Sequence, residues 1–434
     1  MSVFSRSRPS VVADGRAGPR TLVWITLLFL ARVSAAFSAP SGAPLDLMEA
    51  VRLAEREAPM ITARQAAADA AQHQVAPAGE RPDPELVIGI ENLPVTTGDA
   101  FHWNRDFMTM RKIGVMQALP RREKRELRTQ RAEAEVARER ALLVAEQLST
   151  REVVAIAWIA LAHAEQRLAL VTAMQPRAEA FTAAATAAIS AGRGSATDAV
   201  AAEQARIALD DRIDALRLER DLARAALAQW LPNDADRPLG AAPDWHEPGL
   251  DIEARTTRIA HHRELLAYDA ITRAATLDIA LAREEKRPDW TVELAFADRG
   301  PMYSDMVSLA FRVDLPLFAA RRQDPAIAAR ETMLLQVESE RAAAVRMHTS
   351  ELQRTHATWQ ASLQRAQRYE QDLLPLGNDR VDAALGAYRG GSGSLQGVLS
   401  AFDAAVEQRL AYIDVLNALG QSWAALRFAF PEER

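Results

Sequence analysis

No cysteine occurs in these 434 residues, which excludes structural disulfides, thiolate metal sites, thiol catalysis and lipid attachment through an N-terminal cysteine. Aromatic residues are scarce at 6 %, and glycine and proline gather at a few places rather than punctuating the chain throughout. That argues against two or three ordinary globular domains. Beyond the N-terminus no segment approaches 18 uninterrupted apolar residues, so entry into a membrane would have to be as a β-barrel. No phosphate-binding loop, nucleophile–base pair, paired-acid arrangement or metal signature is present, and an enzyme is therefore not expected. No cofactor is expected either.

What the chain has is helix-forming residue types. Alanine dominates, with abundant Leu, Glu, Arg and Gln, so long helices are the first expectation. Residues 1–36 read as an export signal: Arg6, Arg8, Arg16 and Arg20 precede the apolar run Thr21–Ala31, and Ser34-Ala35-Ala36 offers small residues for cleavage. A short membrane anchor is the alternative, but about eleven residues fall short of the roughly 20 that a spanning helix needs. The first 36 residues carry five Arg and one Asp, so removing them takes the net charge from −6 to −6 − 4 = −10. An acidic exported chain is a poor nucleic-acid binder.

Two stretches organise the remainder. Phe107–Leu119 reads as a strand that meets Pro120 and passes into a charged, Ala-rich helix from Arg121. Met306–Leu315 does the same at Pro316, with helix expected from Arg321. Each is preceded by another alternating segment, Glu85–Glu91 and Thr291–Asp298, giving two hairpins. An amphipathic helix is expected over about Leu45–Val75 and another over Ile252–Lys286. The long helical tracts are interrupted at Pro176 and Pro375 and turn at Ala191–Ser195 and Arg389–Ser394. Leu119-Pro120 and Leu315-Pro316 are 196 apart; Pro176 and Pro375, like Gly194-Ser195 and Gly393-Ser394, are 199 apart. The pattern is a tandem duplication, 37–232 and 251–434, joined by a linker over 233–250.

Alternation places Val307, Leu309, Phe311 and Val313 opposite Ser308, Ala310, Arg312 and Asp314, and no other segment is rich enough in large apolar residues to cover four such strands. The apolar face is therefore expected to meet lipid. Four strands cannot close a barrel, for which about eight is the practical minimum, so other subunits must complete it. A trimer would supply 12 strands and a dimer eight. A helical tract of about 70 residues would span on the order of 100 Å, and such helices need lengthwise coiled-coil packing. The expected fold is mainly α with a small β part, a membrane barrel continued by a helical tube.

These features resemble the TolC family of outer-membrane efflux proteins over essentially all of the mature chain. The segments that carry the resemblance are LDLMEAVRLAEREAP (Leu45–Pro59), the two strand-to-Leu-Pro-to-helix junctions, and the turns AGRGSATDAV and YRGGSGSLQGVL. GIENLPV and NRDFMTMRKIGVMQALPRREKR are most similar to the cation-efflux branch associated with heavy-metal resistance. The resemblance implies a homotrimer with a 12-stranded barrel in outer-membrane lipid and a helical tunnel across the periplasm. It also implies a periplasmic adaptor and an inner-membrane pump of the resistance-nodulation-division type. The helical hairpin tips, Gly192, Arg193, Gly194, Ser195 and Arg389, Gly390, Gly391, Ser392, Gly393, Ser394, would then be the closed end and the adaptor-docking surface.

The chain departs from that family in places. Many metal-branch relatives carry a lipidated N-terminal cysteine, absent here. Where some members have an acidic pair after the second tip, Gly397 and Ser400 stand, leaving Asp198 and Asp403 as the nearest entrance-ring candidates. His261 and His262 diverge on a helix, and His348 and His356 are two turns apart, so packed or solvated roles are expected. Met108, Met110 and Met116 share one face of their strand, where apolar packing or lipid contact is expected. Arg121–Arg128 is expected where barrel meets helices, with a solvated helix start as its default role. Competing readings are a drug exporter, a type I secretion duct, or a periplasmic coiled-coil scaffold that forms no pore.

Overall fold

Strand and helix alternate in the order the sequence implies, in a computed structural model that describes residues 43–192, 195–247 and 252–432. The expected signal segment lies outside the described residues. In the first half α1 (Leu47–Glu57) and α2 (Pro59–Gly79) lead to β1 (Glu85–Glu91) and β2 (Met110–Leu119). Then follow α3 (Arg122–Thr172), α4 (Gln175–Ser190) and α5 (Ala196–Ala228). The second half gives α6 (Ile252–Thr257), α7 (Tyr268–Glu284), β3 (Trp290–Asp298), β4 (Met306–Val313), α8 (Gln323–Arg368), α9 (Leu374–Arg389) and α10 (Leu395–Arg427). At 1.5 Å per residue α3 is roughly 75 Å long, and α8 runs into α9 through a single π-turn at Tyr369–Leu373 for roughly 100 Å in all.

Several expectations need correction. The helix expected over Leu45–Val75 is two, because Pro59 starts a new one after Ala58 adopts an extended conformation; Pro77 lies inside the last turn of α2 rather than ending it. The helix expected over Ile252–Lys286 is broken between Arg258 and Ala267 by two 3₁₀ turns, Ile259–His261 and Arg263–Leu265. Pro120 stands one residue before the N-cap Arg121, not in the first turn. After Pro316 a 3₁₀ turn at Ala319–Arg321 intervenes, and the proline in the first turn of α8 is Pro325, where its missing N–H has no intrahelical partner to lose.

The four strands form one antiparallel sheet in the order β1-β2-β3-β4, so β2 and β3 join the two halves and β1 and β4 are its edges. No strand has a helix among its principal neighbours. The core lies in the helical body instead. There α3 packs with α1, α2, α5, α7 and α10, and α8 packs with α7 and α10. One stretch of α3–α4 is apolar enough by composition to cross a membrane, but half of it is buried, and its Trp158, Ile159 and Leu161 belong to the main core.

Three tryptophans fasten that core to irregular backbone: Trp158 Nε1 donates to Leu45 O at 2.9 Å, Trp359 to Trp245 O at 3.0 Å and Trp423 to Glu247 O at 3.0 Å. Satisfying the indole N–H is what permits such deep burial. The segment from Asn233 to Glu247 is consequently a packed strap. Leu45 pairs with Leu239, and Trp245 meets Trp423 edge-on at 5.1 Å.

Candidate pore wall and hairpin tips

The sheet has two unlike faces. Register puts Ile88, Ile113, Phe296 and Val307 in one cross-strand row and Leu86, Val115, Leu294 and Leu309 in the next. The opposite face carries Glu91, Lys112, Gly114, Met116, Glu293, Ala295, Ala297, Ser308 and Arg312. Along β3 the contrast is sharp: Leu294 and Phe296 are 56 % and 44 % exposed, whereas Glu293 and Ala295, which alternate with them, are each 3 % exposed. On the polar side Glu293 is covered by the side chains that pair with it, Lys112 and Arg312. Small residues let the strands sit close on this face, since a Cβ added to Gly114 would lie 2.8 Å from the Ala295 Cβ. Large apolar groups outside and small or charged ones inside is the pattern of a membrane barrel wall. Met110 and Met116 stand on this inner face beside Lys112, not on the apolar face, and Met108 precedes the strand.

A chain of charge crosses the inner face. Lys112 Nζ lies 3.0 Å from Glu91 and 2.7 Å from Glu293, and Arg312 hydrogen-bonds the other Glu293 oxygen. Arg312 also donates to Met116 Sδ at 2.8 Å. Each strand contributes one member: β1 Glu91, β2 Lys112, β3 Glu293 and β4 Arg312.

Below the sheet, Leu119-Pro120 and Leu315-Pro316 lead into the helices beside Asp289. Its side chain accepts from Arg121 N at 3.1 Å and from Lys124 Nζ at 2.7 Å, while its backbone carbonyl accepts from Asp314 N at 3.2 Å. One residue thus ties the two junctions together, its carboxylate holding the first and its backbone carbonyl the second. The basic run from Arg121 follows β2 directly, and Lys124 within it is not solvated; it is 2 % exposed. Sequence reasoning missed Asp289, although its place beside Pro288 at the start of a strand marked it as a turn residue.

At the far end α4 is followed by Gly192 at φ +70°, and α5 opens with a capping box: Ser195 Oγ accepts from Asp198 N, and Asp198 accepts from Ser195 N. Arg193 and Gly194 lie outside the described residues. At the second tip Gly391 has φ +75°, whereas Gly390 sits at −76° and needs no glycine. The N–H groups of Ser392 and Gly393 both donate to Ala387 O, at 3.0 and 2.9 Å, and Ser394 Oγ caps α10 by accepting from Gly397 N at 3.1 Å. Arg389 and residues 390–394 are exposed.

Of the two entrance-ring candidates, Asp198 is half-buried and engaged in its cap. Asp403 is exposed on α10, where partial burial and then the neighbouring Glu407 raise its carboxyl above the usual range. Arg212 hydrogen-bonds Glu407 and holds that carboxyl down.

Among the described residues no group of three or more His, Asp or Glu is placed to hold a metal ion. The structure does bring together two histidines that sequence spacing left apart. His262, in the broken segment before α7, stacks on His348 of α8 with ring centroids 4.8 Å apart. His356 stacks on Trp359 instead.

No family model and no curated protein matches this chain. Solved structures do. A membrane protein from Pseudomonas aeruginosa superposes with a TM-score of 0.76 at 16 % identity, covering 88 % of this chain and 89 % of that one. The outer membrane protein VceC of Vibrio cholerae gives 0.73 at 16 % identity, over 88 % and 96 %. CusC, studied for folding and transmembrane channel formation, gives 0.73 at 15 % identity, over 91 % and 95 %. At such identities the likeness establishes the fold, which is that of outer-membrane channels.

Proposed function

We propose that this chain is the outer-membrane exit duct of a tripartite efflux system, conducting substrate passively from periplasm to exterior. The observation that carries the reading is the pairing of a sheet with no helix among its principal neighbours, largely apolar on one face and small or charged on the other, with helices on the order of 100 Å long. A sheet of four strands with two open edges is incomplete, and three copies would supply 3 × 4 = 12 strands for a barrel. The proposed assembly is a homotrimer of two tandem repeats per chain, 37–232 and 251–434, exported by residues 1–36.

The tips at Gly192–Ser195 and Arg389–Ser394 would meet a periplasmic adaptor. An inner-membrane pump of the resistance-nodulation-division type would supply the energy. Heavy-metal cations are the proposed cargo, on the strength of the GIENLPV and NRDFMTMRKIGVMQALPRREKR segments. Asp198 and Asp403 are the proposed entrance carboxylates.

The test has two parts. Light scattering on detergent-extracted outer-membrane protein should give a trimer mass, and the same material should open small conductances in a planar bilayer. A water-soluble monomer without conductance would overturn the duct. Deleting the coding sequence should lower tolerance to metal cations but not to organic drugs; the reverse would overturn the cargo.

A further inference from the structure

The charge chain across the inner sheet face has a consequence for what passes it. Glu293 is almost fully buried, yet it faces two cations, Lys112 at 2.7 Å and the guanidinium of Arg312. Lys112 lies across from Gly89 and Ala297, and Glu293 across from Met116 and Ala310. The small neighbours leave room for the long side chains to lie along the wall. Arg312, on the edge strand, is held flat by Glu293 on one side and by Met116 on the other. The belt has two anions and two cations per chain and sums to zero.

We propose that Glu293 determines the charge selectivity of the barrel lumen. By pinning and neutralising Lys112 and Arg312 it keeps two cations per chain from standing in the path of a cationic substrate. This rests on the duct reading above. Without the Glu293 carboxylate the belt becomes +1 per chain and +3 around a trimer. Three added positive charges would then line the proposed lumen, where a ring of fixed charge biases which ions pass.

The experiment is the reversal potential of purified full-length protein in a planar bilayer under a potassium chloride gradient. E293Q should lower the potassium-to-chloride permeability ratio by roughly twofold or more relative to wild type. K112Q and R312Q each leave the belt at −1 and should raise it. E293D, which keeps the charge, should stay near wild type. A change whose sign follows the charge removed is not what simple damage to the wall would produce. Ratios unaltered in E293Q, K112Q and R312Q, with wild-type protein conducting, would overturn the belt and leave the duct standing. Wild-type trimer that inserts but never conducts would overturn the duct and the belt with it. Should E293Q fail to assemble, the two cation variants decide alone: a raised ratio supports the belt, an unaltered one overturns it.

Discussion

Single residues carry much of what holds the helical body in shape, and His262 is one whose effect reads out with pH. It is 7 % exposed, stacked on His348 and edge-on to Phe430, and burial, then the charges of His348 and Arg263, push its pKa from 6.5 down to about 4. The unfolded histidine takes a proton near pH 6.5, whereas the folded one resists until about pH 4. The unfolded state therefore binds more protons in that window. The contribution is complete above pH 6.5 and is lost as pH falls toward 4, up to about 3 kcal/mol. Melting in detergent should show lower stability at pH 5 than at pH 7.5, and H262F should flatten that slope; an unchanged slope in H262F would assign it elsewhere.

Asp289 gives a second prediction at this scale. Its removal strands the buried Lys124 ammonium with only Arg287 O at 3.4 Å and Glu285 at 3.6 Å nearby, and frees Arg121 N. D289A should cost roughly 3–5 kcal/mol, and K124M added to it should recover part of the loss because the uncompensated charge is gone. Additive losses in the double variant would show that the pair is not the cause.

At the scale of elements, the strands were the most legible part of the sequence. Glu85–Glu91 is read to the residue because Pro84 precedes it, its side chains alternate, and Asn92 leaves the strand at φ +57°. The end of β2 at Leu119 falls at its Leu-Pro step, whereas β4 ends at Val313, two residues short of the expected Leu315, and α8 begins only at Gln323. The break between Arg258 and Ala267 was not legible. Its residues favour helix locally, but Arg263 N donates to Ala429 O at 3.0 Å and Arg263 pairs with Glu152, contacts that only the folded body supplies. The charge belt was equally hidden, since Lys112 and Glu293 are far apart in the chain and only register brings them together.

The tips can be tested element against element. A Cβ on Gly393 would stand 3.0 Å from Tyr388 N and 3.1 Å from the Ala387 carbonyl carbon, and Gly391 has positive φ, while Gly390 has helical φ and ordinary room. G391V and G393V should rebuild the turn without touching the core. They should reach the outer membrane at normal levels yet leave cells as sensitive to substrate as the deletion, whereas G390A should behave as wild type. Full efflux in all three would remove the tip from the docking surface.

The whole molecule poses the question of what covers its open edges. A long, apolar, unpaired edge strand is an invitation to uncontrolled pairing, and closure is the one arrangement that removes edges altogether. Here β1 and β4 are both open, and the exposed rows ending in Ile88 and Leu309 belong to a surface too apolar to be left in water. Pairing β4 of one copy with β1 of the next closes a ring, and each added copy must repeat the same contact. Because the chain has no cysteine of its own, introduced thiols report on this contact alone. I88C combined with L309C, or with its register neighbours S308C and A310C, should form disulfides only between copies, since Cα atoms must come within about 7 Å. Oxidised membranes should then show dimers and trimers on a non-reducing gel and nothing larger, because a closed ring leaves no edge for a fourth chain. A ladder running past three would mean an open or wider assembly. Intramolecular closure without any ladder would mean that the four strands fold on themselves and that the chain makes no pore by this route.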